Sequence, residues 1–184
     1  MKNLEAITQM SAKELKTLEK GIHEISRATG LASAELADSA KMVAEAGGDL
    51  DLMMAQLTHG TNLAIATKTD LATTLDMVGS AMKTFRMGEE ATQAVVDSLA
   101  ATTQKANVTL AQLGESYKNA GGAAAQAGLS INDVNAILIA FKDRGMLGAD
   151  AGTKLKMVLQ SLLVPSSEAK ATLEALGVAI YDSQ

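Results

Sequence analysis

Three features of the sequence predict an all-α fold, either a compact multi-helix bundle or a short array of helical hairpins, with about nine short helices. Apolar residues recur at helical three- and four-residue steps along most of the chain. The periodic segments are punctuated by Gly or Asn stops, followed at once by Ser, Thr or Asp caps. With 2% aromatic residues and no Trp in a 184-residue chain that is 47% hydrophobic, the core must be built from Ala, Leu, Val, Ile and Met.

The elements follow in order. Ser11-Ala12-Lys13-Glu14 is a capping box, in which the serine side chain accepts from the backbone three residues on and the glutamate reaches back. Leu15, Leu18, Ile22 and Ile25 then share one face, and Thr29-Gly30 supplies a left-handed stop that Leu31 clips. Ser33 can cap a second helix carrying Leu36, Ala40 and Val43, which ends at Gly47-Gly48. Asp49 or Asp51 can cap a third, carrying Met53, Leu57, Gly60 and Ala64. A fourth opens at Thr69-Asp70 and places Leu71, Leu75, Val78, Met82 and Phe85 on one stripe before Met87-Gly88 breaks it. Ala91, Val95 and Leu99 mark the fifth, which Asn107 closes. Thr109-Leu110-Ala111-Gln112 is read as a capping box for the sixth, with Leu110, Leu113, Tyr117, Ala120, Ala124 and Ala127 along one side. The small residues from Ala120 to Ala125 predict a tight helix crossing there. Gly128-Leu129-Ser130 repeats the stop, the apolar clip and the cap, and launches a helix with Val134, Ile137, Leu138 and Phe141 that ends at Arg144-Gly145. Leu155, Val158, Leu159 and Leu162 define the eighth, ended by Pro165. A last short helix, capped by Ser166 or Ser167 and carrying Leu173 and Leu176, is expected to stop at Gly177-Val178. Gly48, Gly88 and Gly128 fall at equal intervals of about 40 residues, the length of a two-helix repeat. Side chains outside the caps do not repeat, so hairpin array and irregular bundle both stay open.

Composition and motifs argue against an enzyme. Without cysteine there is no disulfide framework, thiolate metal site or cysteine nucleophile, and two histidines leave little for zinc or triad chemistry. His23-Glu24 begins like a metalloprotease HExxH motif, but Arg27 stands in place of the second ligand. His59 has no imidazole or acidic neighbour at helical spacing, and there is no GxSxG elbow. The glycine-rich run from Gly145 to Lys154 fails as a phosphate loop, because Thr153 precedes Lys154 and a helix, not a strand, comes before it. It reads as a structural turn. A net charge of −5 disfavours nucleic-acid phosphate and acidic substrates. Lys13, Lys16, Lys20 and Arg27 are interleaved with Glu14, Glu19 and Glu24, the pattern of a solvated helix face. The methionines Met53, Met54, Met77, Met82, Met87, Met146 and Met157 read as core filler in a chain nearly without aromatics. The N-terminus lacks a signal-peptide core, and the longest apolar stretch, Ala136 to Phe141, is far short of the roughly 18 residues that span a bilayer.

The run Ala127-Gly128-Leu129-Ser130, then Phe141-Lys142-Asp143-Arg144-Gly145-Met146-Leu147-Gly148-Ala149-Asp150-Ala151-Gly152-Thr153-Lys154-Leu155, then Leu159, Leu162 and Pro165, then Leu176-Gly177-Val178, resembles the core domain of phage tail tape-measure proteins. Thr29-Gly30, Glu35-Leu36-Ala37, Ala46-Gly47, Ala66-Thr67 with Asp70, and Phe85-Arg86-Met87 with Glu90-Ala91 are similar to the same family in the same order, so the resemblance covers roughly residues 10 to 184. Lys156 departs from it, standing where the family often carries arginine. The resemblance implies residues 1–10 as an N-terminal segment, 11–177 as a helical core domain and 178–184 as the truncated start of a further element, hence a fragment or a truncated prophage copy. It implies a non-catalytic virion protein, made in the bacterial host cytoplasm and built into the tail, which acts in tail-tube assembly and tail-length determination. Its expected partners are tail-tube, tail-tip and tail-assembly chaperone proteins, with no cofactor, metal or nucleic acid. The residues singled out are structural. Gly145, Gly148 and Gly152 are expected to permit a turn, Thr153 to cap the helix after it, Leu155 and Leu162 to anchor that helix and Pro165 to end it, with Gly128, Ser130 and Gly177 at neighbouring boundaries. The competing reading is a cytoplasmic all-helical adaptor that binds peptide in a groove.

Overall fold

The structure, a computed structural model, describes residues 10–176. Among these residues there are nine α-helices and one 3-10 turn, and no strand. The helices are α1 (Ala12–Thr29), α2 (Ser33–Glu45), α3 (Leu50–Thr67), α4 (Leu71–Thr84), α5 (Thr92–Ala106), α6 (Leu110–Gln126), α7 (Ile131–Lys142), α8 (Gly148–Leu163) and α9 (Ser167–Ala175), with the 3-10 turn Glu89–Ala91 between α4 and α5. The chain divides into two compact units, one through Leu110 and one from Ala111.

In the first unit α3 is the central element, and α1, α2, α4 and α5 all pack on it. Its sequence accounts for this. Asp51 is its only charged residue, and Met53, Gln56, Leu57, Gly60, Thr61, Leu63 and Ala64 are buried along one broad face that covers close to half the helix, wide enough to meet several neighbours. Gly60 lets α4 approach closely, since a Cβ there would lie 2.2 Å from Leu75 Cδ2. The flanking helices are amphipathic and present Leu18 and Ile22 from α1, Leu36, Ala40 and Val43 from α2, and Leu71, Leu75 and Val78 from α4. The main pairings join each helix to its first and second neighbours along the chain, as stacked hairpins do. Phe85 lies beyond the stripe expected for it, because α4 ends at Thr84 and Phe85 is half-buried in the cap.

Six helix ends share one geometry. At Gly47, Lys68, Arg86, Asn107, Gly128 and Gly145 the backbone turns left-handed. The amide of that residue donates to the carbonyl three residues back, and the next amide to the carbonyl five residues back, as in Gly128 to Ala125 (3.1 Å) and Leu129 to Ala124 (3.0 Å). This is the Schellman stop, which satisfies carbonyls the helix would otherwise leave open. In three of the links a cap follows two residues after the left-handed residue: Asp49 accepts from Leu52 N (2.9 Å), Asp70 from Thr73 N (2.8 Å) and Ser130 from Asp133 N (3.2 Å). The 40-residue glycine interval is therefore not itself the repeat. Gly128 is left-handed, but Gly88 has φ −81° and ψ 177°, and Gly48 follows the left-handed residue. What recurs is the stop, at the end of each helix from α2 to α7. At the second helix the cap is also displaced from its expected place: Ala32 is the N-cap, without a side-chain bond, and Ser33 is the first helical residue.

Candidate interaction surface

The second unit holds most of the residues that carry the resemblance, on α6, α7 and α8. Gly128 (φ +74°) ends α6 and Ser130 begins α7 with a full capping box. The Asp133 carboxylate accepts from the Ser130 hydroxyl (2.7 Å) and amide (2.9 Å), and these bonds, the hydroxyl's first, hold its carboxyl below the usual aspartate range. Between α7 and α8, Gly145 (φ +77°) carries the left-handed stop, and Gly148 (φ +55°) is the first residue of α8.

Three of the sequence expectations change here. Gly152 is not part of the turn. It lies buried in the second turn of α8 against α6, where a Cβ would come within 2.5 Å of Ser116 O and 2.8 Å of Ser116 Cα. Thr153 does not cap α8: the N-cap is Leu147, without a side-chain bond, and the Thr153 hydroxyl donates back to Ala149 O (2.8 Å), which is how a mid-helix threonine satisfies itself. Leu155 is buried with Leu159, but Leu162 is 65% exposed and anchors nothing within the described chain. α8 ends at Leu163, just before Pro165, and Ser166 accepts from Ala169 N (3.2 Å) at the start of α9. Gly177 lies outside the described residues.

Ser116 and Asn119 on α6, neither of them singled out from the sequence, complete the crossing. Ser116 Oγ donates to Gly148 O (2.8 Å) and Asn119 Nδ2 to Ala149 O (3.0 Å), so two polar side chains dock on the first turn of α8, while Gly152 meets the α6 backbone. The tight crossing thus forms one turn before the Ala120–Ala125 run expected to make it. The signal was the pairing of small polar residues at 116 and 119 with a second run of small residues, Gly148 to Gly152. Asn135 was also missed. Its carbonyl accepts a short hydrogen bond from the Tyr117 hydroxyl between α6 and α7; both residues are buried, and burial pushes the tyrosine well above its ordinary range.

Beyond this crossing α8 carries an apolar surface with no cover among the described residues. Leu155 and Leu159 face inward, whereas Met157, Val158, Leu162 and Val164 are all more than half exposed. Met157 therefore departs from the core role expected of the methionines, while Met53, Met77 and Met82 are buried as expected. The described side chains of α9 are exposed as well. Large apolar side chains gathered at one end of a helix mark a contact surface rather than a catalytic one. Elsewhere the polar groups are dispersed. Among the described residues no three His, Asp or Glu side chains gather to hold a metal ion, and no helix is long and apolar enough to cross a membrane. The Lys20–Glu24 pair (3.7 Å) lies in solvent on α1, a face that contributes little to stability.

A family model described as phage-related minor tail protein matches residues 19–184. The chain belongs to the phage-related minor tail protein family. Over its whole length it is 26% identical to the tape measure protein of Pneumococcus phage Dp-1, of which it covers 16%. Over 93% of its length it is 26% identical to the probable tape measure protein of Escherichia phage P2, of which it covers 21%. The chain thus spans about a fifth or less of these relatives. No solved structure matches it.

Proposed function

We propose that this chain is a structural, non-catalytic segment of a phage tail tape-measure protein, acting in tail-tube assembly and tail-length determination from the virion tail. In this reading it is a folded docking module, spanning residues 11–177, and not the ruler itself. The family match supports the tail assignment, and the spacing of the helix stops supports the division of labour. A ruler needs length per residue. A helix rises about 1.5 Å per residue, so the longest helices here, 18 residues each, reach only about 27 Å before the chain reverses. The single observation that carries the reading is this succession of Schellman stops across a segment matched to tail proteins. The partners it would meet are tail-tube, tail-tip or assembly-chaperone proteins, and the uncovered end of α8 is the surface offered to them.

The test is a stop codon at Lys20 in the encoding phage, with complementation in trans. The proposal expects heads without tails of defined length, restored by the intact protein. Normal tails without it would refute the assignment.

A further inference from the structure

We propose that a cleft in the first unit binds an extended peptide segment of a partner, taking an aliphatic side chain among its methionines and the adjoining backbone amide on the Gln56 carboxamide. This adds a contact site to the docking reading without resting on it, since its test reads binding alone.

The cleft lies among the end of α2, the start of α3, the end of α4 and the link that follows it, and encloses about 460 Å³. A cavity of about 150 Å³ holds a benzene ring, so this one has room for a large aliphatic side chain and the backbone on either side of it. Met82 and Leu75, both buried, line it together with Met42, Leu52 and Met87, which are half-buried. Unbranched thioether side chains adapt their shape to an apolar guest.

Apolarity alone does not choose the guest, but Gln56 does. This lining residue is 3% exposed. Its Nε2 donates only to Met82 Sδ, at 3.9 Å, and its Oε1 accepts no hydrogen bond from the described residues. That oxygen is not sealed in the core. Among the described residues Thr61 Oγ1 is the one enclosed side-chain polar atom without a partner, so Gln56 Oε1 stays open to the cleft. Gly79 keeps the space beside the carboxamide clear, since a Cβ there would lie 3.4 Å from Nε2 and 3.7 Å from Oε1. A thioether is a weak acceptor, so the carboxamide offers a donor and an acceptor side by side, the complement of one peptide unit with its C=O and N–H. The guest must be extended, because a helix uses those groups in its own hydrogen bonds. The rim agrees with this choice. Asp76, Lys83 and Glu89 line it, all exposed and none ion-paired with a described residue. A rim of both signs selects no ion, but it answers both the N–H and the C=O groups of a polypeptide backbone.

The test adds N-acetylleucinamide, one aliphatic side chain between two amides, to the whole chain and follows the methionine ε-methyl NMR signals. Those of Met42, Met82 and Met87 should move together with a dissociation constant of roughly a millimolar, while Met157, exposed on α8, stays still. N-acetylglycinamide, which lacks the side chain, should move none of them. S80W fills the cleft from an exposed position on its wall and should abolish the shifts. Q56L keeps the wall apolar but removes the carboxamide, so it should bind the probe at least about fivefold more weakly. The probe with every amide hydrogen replaced by methyl should bind the unsubstituted chain just as weakly, and lose nothing further on Q56L. Absence of shifts well above millimolar concentration, shifts that survive S80W, or equal binding by Q56L overturns the proposal; the last outcome would make the cleft a general apolar site, as open to a lipid chain as to a peptide. If circular dichroism shows either variant unfolded, Q56M replaces Q56L and S80F replaces S80W, with the same expectations. None of these outcomes bears on the tail assignment.

Discussion

Replacing Gly152 by alanine should destabilise the second unit, whereas the same change at Gly122 should stabilise it. Both glycines are helical, Gly122 in α6 and Gly152 in α8, so each substitution gains about 1 kcal/mol of helix propensity. At Gly122 a Cβ meets nothing within 4 Å, and that gain stands alone. At Gly152 the new carbon would lie 2.5 Å from Ser116 O, 2.8 Å from Ser116 Cα and 3.0 Å from Asn119 Cβ. The first two atoms are backbone, so relief requires α6 and α8 to separate, at an overpacking cost of about 1–3 kcal/mol. Separation also stretches the bonds from Ser116 to Gly148 and from Asn119 to Ala149, worth about 1 kcal/mol each. The net change at Gly152 is a loss of about 2–4 kcal/mol, against a gain of about 1 kcal/mol at Gly122. Urea unfolding monitored at Tyr117, which lies in the same unit, together with amide exchange of α6 and α8, measures both. If G152A proves as stable as G122A, the close approach of the two helices is wrong.

Further predictions concern other positions in the same framework. Y117F removes the donor to the buried Asn135 carbonyl and should cost about 1–2 kcal/mol, read as a lower urea midpoint with unchanged slope. G145V places a β-branched residue at φ +77° with no side-chain clash nearby, so the cost of about 1–3 kcal/mol is backbone strain; an unchanged melting temperature would contradict the left-handed stop. The capping carboxylates Glu14, Asp70 and Asp133 all have lowered pKa values, chiefly from bonds to Ser11, Thr73 and Ser130 respectively. A depressed carboxyl contributes stability above its unfolded pKa and loses it as pH falls through the folded value, so stability should decline below about pH 4, and S130A should flatten part of that decline in an acid titration of melting temperature.

Helix positions were legible in the sequence because the signals were local. The boxes Ser11–Glu14 and Ser130–Asp133, the caps Asp49 and Asp70, and the stops at Gly30, Asn107, Gly128 and Gly145 each act within a few residues of themselves. Two stops escaped notice because Lys68 and Arg86 hold the left-handed conformation without being glycine or asparagine. Contacts between helices were harder to read. Gly152 looked like a turn glycine because it follows Gly145 and Gly148, and only the opposing Ser116 backbone, 36 residues away in sequence, shows why a side chain is excluded. Leu162 carries the same periodicity as Leu155 and Leu159, but periodicity gives the side of the helix and not where the neighbouring helix ends. The family was legible through the same glycine-rich stretch that misled the local reading.

The measurement that most directly tests the division between module and ruler is tail length after in-frame deletion of residues 11–176 from the encoding phage, read by electron microscopy. If the segment were ruler, removing these residues would leave well-formed tails shorter by about 250 Å, at about 1.5 Å per residue. The account predicts instead that defined tails are lost, leaving unassembled heads or tubes of uncontrolled length. Regular tails shortened by that increment would contradict it.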